Sequence, residues 1–86
     1  MLEIGFKPSF IKQFKQLEKD LRQEVEEKIE LLKDKRNHAT LKVHKLHGPL
    51  PGYWSFSVNY KTKIVFEQSG NEIVLLAIGN HDVYKN

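Results

Sequence analysis

The chain has 86 residues, 40% of them hydrophobic and 29% charged, with a net charge of +3. That implies one domain over residues 1–86, ordinary for a globular protein and too small for two cores. It has no cysteine, which excludes disulfides, thiolate nucleophiles and cysteine-ligated zinc, so packing alone must hold the fold.

Residues 2–6 read as a short strand, with Leu2, Ile4 and Phe6 alternating with Glu3 and Gly5. Pro8 suits a first helical turn, where its missing N–H costs nothing. Phe10, Phe14, Leu17, Leu21, Val25, Ile29 and Leu32 then recur every three or four residues, the stripe of an amphipathic helix. Its length exceeds the span of so small a core, so a break is expected. Asp20 is the candidate N-cap, with Gln23 where a capping box wants Glu or Gln, giving two helices over about 8–19 and 21–36.

The second half changes character. Leu41, Val43 and Leu46 read as strand and loop, leading into His47-Gly48-Pro49-Leu50-Pro51-Gly52, which ends any helix. Trp54, Phe56, Val58 and Tyr60 then alternate with Ser55, Ser57 and Asn59, a half-buried strand with small polar groups on its open face. Residues 63–67 form the next strand, Ser69-Gly70-Asn71 a hairpin turn, and residues 73–78 a strand apolar on both faces and therefore central. The expected class is α+β, in the order β-α-α-β-β-β, with a two-helix hairpin packed on one face of a mainly antiparallel twisted sheet. The apolar run of 73–78 is far short of the roughly 20 residues of a membrane helix. The opening residues lack the basic-then-apolar order of a secretion signal, so a cytoplasmic location is expected.

Charge is distributed unevenly. Glu3 through Asp34 mixes acids and bases evenly, the pattern of a solvated helix face. Residues 35–66 contain no acid but hold Lys35, Arg36, Lys42, Lys45, Lys61 and Lys63, together with His38, His44 and His47. Several of these are expected to converge near the open sheet face, beside Tyr53, Trp54 and Tyr60. Cations for phosphates and rings for bases are what an RNA-binding site needs; the plainer reading is lysines that keep a small protein soluble. His44 and His47 are three apart but sit on strand and loop with no carboxylate to complete a ligand set, so no metal site is expected. His81 follows the central strand at Gly79-Asn80, within reach of the sheet's rim. A histidine in a terminal loop is more often inert than catalytic, but no phosphate loop, nucleophilic-serine motif or carboxylate pair competes with it.

The full-length pattern resembles the RelE/ParE toxin superfamily of type II toxin–antitoxin systems, and most of all its RelE/YafQ/YoeB-type mRNA interferases. The carriers are Phe6-Lys7-Pro8-Ser9-Phe10 at the strand-to-helix junction, Leu46-His47-Gly48 with Leu50-Pro51-Gly52-Tyr53-Trp54-Ser55, Lys63-Ile64-Val65-Phe66, and Ala77-Ile78-Gly79-Asn80-His81-Asp82-Val83-Tyr84. The resemblance implies a ribosome-dependent, metal-independent mRNA endoribonuclease without a cofactor, held inactive by an acidic cognate antitoxin. It implies His81 as the catalytic histidine, Tyr84 as the C-terminal aromatic and Lys63 as a phosphate or structural cation. Lys42, Lys45, His47, Lys61 and Tyr53 are the expected RNA-binding residues. The chain departs from the pattern on the first hairpin strand, where many members carry an arginine; that register falls here on Ser57 or Val58, and Lys61 or Lys63 would have to substitute. The competing readings are a non-nucleolytic module of the same fold, either a gyrase-type toxin or an inactive antitoxin-binding remnant, and a small RNA-binding domain without chemistry.

Overall fold

The computed structural model describes residues 1–46 and 52–80. Strand β1 (Glu3–Phe6) leads into helices α1 (Pro8–Lys15) and α2 (Lys19–Leu32), a 3-10 turn (Lys35–Asn37), and strands β2 (His44–Lys45), β3 (Trp54–Ser57), β4 (Lys63–Ser69) and β5 (Glu72–Gly79). The five strands form one mixed sheet in the order β1-β5-β4-β3-β2. β1 runs parallel to β5 and the other pairings are antiparallel. Both helices lie on one face, where Phe10, Val25, Ile29 and Leu32 pack onto Leu2, Phe56, Ile64, Phe66, Ile73, Leu75 and Ile78. The expected α+β architecture is present, with β5 inside the sheet between β1 and β4.

The helical stripe breaks earlier than Asp20. Residues 16–18 form the corner, Glu18 is the extended residue before α2, and no side chain caps it. The corner is closed from within α2, where Arg22 Nη1 donates to the Leu17 carbonyl at 2.7 Å. Asp20 falls inside the first turn of α2, where its charge complements the helix dipole instead of capping it. The second helix also stops sooner than residue 36. Its last carbonyls are taken by side chains from the following turn: Asn37 Nδ2 donates to Leu31 O and the His38 ring to Leu32 O, both at 2.9 Å. The Leu2 N–H, donating to Lys33 O at 2.9 Å, ties β1 to the same helix end. Asp34 caps the 3-10 turn by accepting from Arg36 N at 2.9 Å. It also holds the Arg36 guanidinium in a fork, with contacts of 2.7 to 3.1 Å. Those side-chain bonds first, and the backbone N–H second, hold the Asp34 carboxyl at about 2, below its ordinary 3.8.

Strand β3 is shorter than its alternation predicts, ending at Ser57, and Tyr60 lies beyond it, 83% exposed. Asn59 ends the strand by turning its side chain back on the chain: Oδ1 accepts from Lys61 N at 2.9 Å and Thr62 N at 2.8 Å. Ser55, expected on a solvated face, is fully buried. It sits between His44 of β2 and Val65 of β4 in the sheet register.

The pairing of β4 with β5 shifts register at Val65/Phe66, which pair with Ala77 and Leu75 and leave Leu76 as the extra residue. At the same level β1 has ended, since its last partner is Leu75. The edge of β5 is completed by α1 side chains instead of a strand. Ser9 Oγ donates to Leu76 O at 2.7 Å, and Gln13 Oε1 accepts from Ile78 N at 2.9 Å.

Two outcomes follow from these contacts. Gln13→Ala leaves the half-buried Ile78 N–H without its acceptor; we expect a loss of about 1–2 kcal/mol in urea unfolding, with faster hydrogen exchange at Ile78 than at Ile73. Asp34 has a folded pKa below its unfolded one, so its contribution is complete above about pH 4 and is lost as pH falls toward 2. Asp34→Asn should therefore flatten the decline of the urea midpoint in that window and leave the profile above pH 5 with its wild-type slope.

Candidate functional site

The sheet face away from the helices carries two adjacent rows across β3, β4 and β5. Ser55, Val65 and Ala77 form one row; Ser57, Lys63 and Gly79 form the next, at the end of the sheet where β4 begins and β5 finishes. In the second row a long cationic side chain is flanked by a serine on one side and a residue with no side chain on the other. Lys63 Nζ donates to Ser57 Oγ at 2.9 Å and to the Asn59 carbonyl at 3.3 Å. Both of these partners, among the described residues, are neutral, so the bonds orient the ammonium without themselves neutralising it. The loop supplying that carbonyl is anchored to α2, because Asn59 Nδ2 donates to Glu24 Oε1 at 3.0 Å.

The other predicted residues do not gather in this row. Lys61 is exposed in the β3–β4 loop, its Nζ 5.7 Å from the Tyr60 ring centroid. Lys45 pairs with Trp54 and places its Nζ 5.4 Å from that ring's centroid. Since Trp54 packs against the core, Lys45 stands on the helix side of the sheet, opposite to Lys63. Lys42 is exposed in the turn before β2, at φ 59. Its carbonyl accepts from His44 Nδ1 at 2.7 Å, and His44 shares the row of Ser55. Tyr53 is half-buried just before β3, and its carbonyl accepts from Leu46 N at 2.8 Å, which extends the β2–β3 pairing. His47, His81 and Tyr84 lie outside the described residues. The structure thus brings together Lys63, Ser57 and the loop bearing Lys61, while Lys45 belongs to the other face.

Other cations of the acid-free stretch differ from Lys63 in their partners. Arg36 is held by the Asp34 carboxylate, which also keeps its guanidinium pKa above the ordinary value. Just upstream, Lys33 is paired to Glu30 at 2.7 Å. No three His, Asp or Glu side chains converge as a metal site among the described residues. None of their helices is long and apolar enough to cross a membrane.

Ser57, Asn59 and Glu24 are the residues that reading the sequence missed. An asparagine followed by Tyr-Lys-Thr is a turn signal, so Asn59 was within reach; the bond from Glu24 connects residues 35 positions apart and leaves no local trace.

No family model matches the sequence, and no curated protein does. Solved structures do match in fold. YafQ from E. coli strain BL21(DE3) superposes with a TM-score of 0.80 at 17% identity, over 100% of both chains. The E. coli DinJ–YafQ toxin–antitoxin complex matches at 0.74 and 19% identity, over 99% of this chain and 98% of that one. The heterotetrameric YoeB–YefM toxin–antitoxin complex from Staphylococcus aureus matches at 0.70 and 26% identity, over 94% of this chain and 98% of that one. The chain has the fold of the YafQ and YoeB toxins, which are type II toxins of the RelE superfamily.

Proposed function

We propose that this chain is the toxin of a type II toxin–antitoxin pair and acts as a metal-independent, ribosome-dependent mRNA endoribonuclease in the cytoplasm. The observation that carries the reading, beyond the shared fold, is the Lys63 ammonium. It is fixed on the open sheet face by two neutral acceptors, and in the strand register it lies across from Gly79, two residues before His81 in the chain. An anion arriving there meets a cation held, among the described residues, by neutral groups, in a row whose other members are Ser57 and Gly79.

The reaction that suits these residues is transesterification. The RNA 2′-oxygen attacks the adjacent phosphorus as the bond to the 5′-oxygen breaks. A proton leaves the 2′-hydroxyl and another reaches the departing 5′-oxygen, giving a 2′,3′-cyclic phosphate and a 5′-hydroxyl end. His81, whose residue type titrates near neutrality, performs one of these proton transfers. Tyr84 assists it, and Lys63 stabilises the extra negative charge of the pentacoordinate phosphorus. The arginine expected on the first hairpin strand is replaced by geometry: Ser57 occupies that register, and the cation reaches the same place across the ladder from β4. Lys61, in the loop that supplies the Asn59 carbonyl, adds a phosphate contact nearby, and Lys42, Tyr53 and His47 are the remaining proposed RNA contacts. Lys45, on the opposite face, is left out of the groove.

The antitoxin part of the proposal draws on the DinJ–YafQ and YoeB–YefM complexes. Its support in this chain is a groove of about 450 Å³ between the helices, walled by Phe6, Phe10, Ile11, Phe14 and Ile29. Phe6 and Ile11 are 48% and 40% exposed there, in a domain small enough to gain from any partner that binds only the folded state. Lys15, Glu26 and Glu30 complete the lining. The groove therefore suits the apolar side chains of an antitoxin segment at helical or strand spacing, and that segment's acids would be met by the acid-free stretch elsewhere.

The test is induced expression without antitoxin, following growth and mapping mRNA 5′ ends. Wild type should arrest growth and create new ends in translated messages. His81→Ala should abolish both, and Lys63→Ala should reduce cleavage on the order of a hundredfold, with Lys63→Arg less impaired because it keeps the charge. Arrest that persists in His81→Ala with no new ends identifies a gyrase-type target instead. Soluble wild-type protein that leaves growth unaffected identifies an antitoxin-binding remnant.

A further inference from the structure

The β3–β4 loop presents a side chain that the fold does not use. Tyr60 is 83% exposed, whereas Val58, two residues earlier, is 3% exposed and part of the core. The loop beneath Tyr60 is firmly held. Val58 N donates to Thr62 O at 2.9 Å. Asn59 caps Lys61 N and Thr62 N, is bonded to Glu24 of α2, and offers its carbonyl to Lys63. An aromatic ring is therefore carried in water on a backbone with little freedom left to lose, with one lysine alongside it and another bonded to its base.

Among the described residues the other large exposed apolar side chains are Met1, Phe6, Ile11 and Leu31, none of them in this loop. Residues flanking Tyr60 are Asn59, Lys61 and Thr62. A protein partner anchors on aromatic residues set within a desolvated apolar patch. A lone ring beside Lys61, with the Glu24 carboxylate at the loop's base taken up by the Asn59 amide, matches a nucleotide, which needs one π-face and one phosphate contact per base.

We propose that Tyr60 is a stacking platform for one base of single-stranded RNA, with Lys61 on the adjoining phosphate, and that the loop leads the strand toward Lys63. This rests on the nuclease reading and names a contact within it that precedes chemistry. Glu24 and Asn59 act through the loop, as positioning residues.

The probe is a short single-stranded RNA carrying 2′-O-methyl groups throughout, which blocks cleavage, and 2-aminopurine at one position at a time. Titrated with full-length protein, it should show one position whose fluorescence is quenched on binding. Tyr60→Ala should weaken binding about tenfold and abolish that quench, Tyr60→Phe should keep both, and neither should shift the thermal midpoint, because the ring is in water. Wild-type affinity and quench in Tyr60→Ala overturn the platform. If Lys63→Ala still suppresses cleavage in cells, the nuclease reading stands while the platform falls. Unchanged quench with equal weakening toward the RNA and a poly-glutamate peptide assigns Tyr60 to a protein partner and also overturns it. Absence of RNA binding by wild type overturns the platform too, while mapped 5′ ends continue to judge the nuclease.

Discussion

Strand β5 outruns β1, and the structure depends on how that difference is resolved. β1 pairs as far as Leu75, whereas β5 continues to Gly79. Backbone groups beyond Leu75 would otherwise face the space that α1 covers, where a bare N–H or C=O costs far more than a bonded one gains. Ser9 and Gln13, one helical turn apart on α1, take the Leu76 carbonyl and the Ile78 N–H. Two short polar side chains thus extend the sheet where its strand has ended. They also fix α1 against β5, with Phe10 entering the core beside them. The extra residue at Leu76 belongs to the same solution, because it re-registers β5 against β4 just before the row that contains Gly79 and Lys63.

Around that joint the core is ordinary in composition and dense in aromatic contact. Phe66 meets Trp54 at 6.4 Å and Phe56 at 5.9 Å between ring centroids. The burial of these rings supplies much of what a domain this small can gain from packing. Lys45 completes the edge of this cluster by covering the Trp54 ring, an apolar use of a lysine that sequence alone does not separate from a phosphate contact. Composition placed Lys45 in the same groove as Lys63. Strand register places the two on opposite faces, because Lys45 pairs with Trp54 and Lys63 with Ser57.

The first strand, the two helices and three of the following strands, most of the core-facing residues and the interior position of β5 were legible in the sequence, because periods of 3.6 and 2 record which face is buried. The two-residue strand β2, an addition to the expected β-α-α-β-β-β order, was not. Nor was the helix corner. Nothing local marks residues 16–18 as a break: there is no proline, no glycine and no capping side chain, and the corner is closed by Arg22 reaching back to Leu17. Burial of Ser55 was equally hidden, since alternation distinguishes the two faces of a strand and says nothing about what covers each. For the site, the acid-free stretch and Lys63 as a candidate cation were legible, while the Ser57, Asn59 and Glu24 contacts were not. They depend on a cross-strand register and on a loop leaning against a helix, neither of which has a period.

The partners of the cations separate structure from function more sharply than their number does. Lys33 and Arg36 each hold a carboxylate beside the end of α2, so their charges are locally balanced and their effect on an approaching anion is weak. Among the described residues, Lys63 is bonded to a hydroxyl and a carbonyl. Those bonds restrict a flexible four-carbon chain without neutralising it, the condition under which electrostatic stabilisation of a developing charge needs little further ordering. A lysine lacks the bidentate fork of arginine, and in the proposed reaction its fixed position would stand in for that fork. Its strand neighbours among the described residues are Ser57 on one side and Gly79 on the other, neither of which carries a long side chain. Placing an arginine on β3 at position 57 would remove the acceptor that orients Lys63 and set two like charges side by side. The serine in that register is therefore the counterpart of the lysine that faces it, and the two are best understood as one unit.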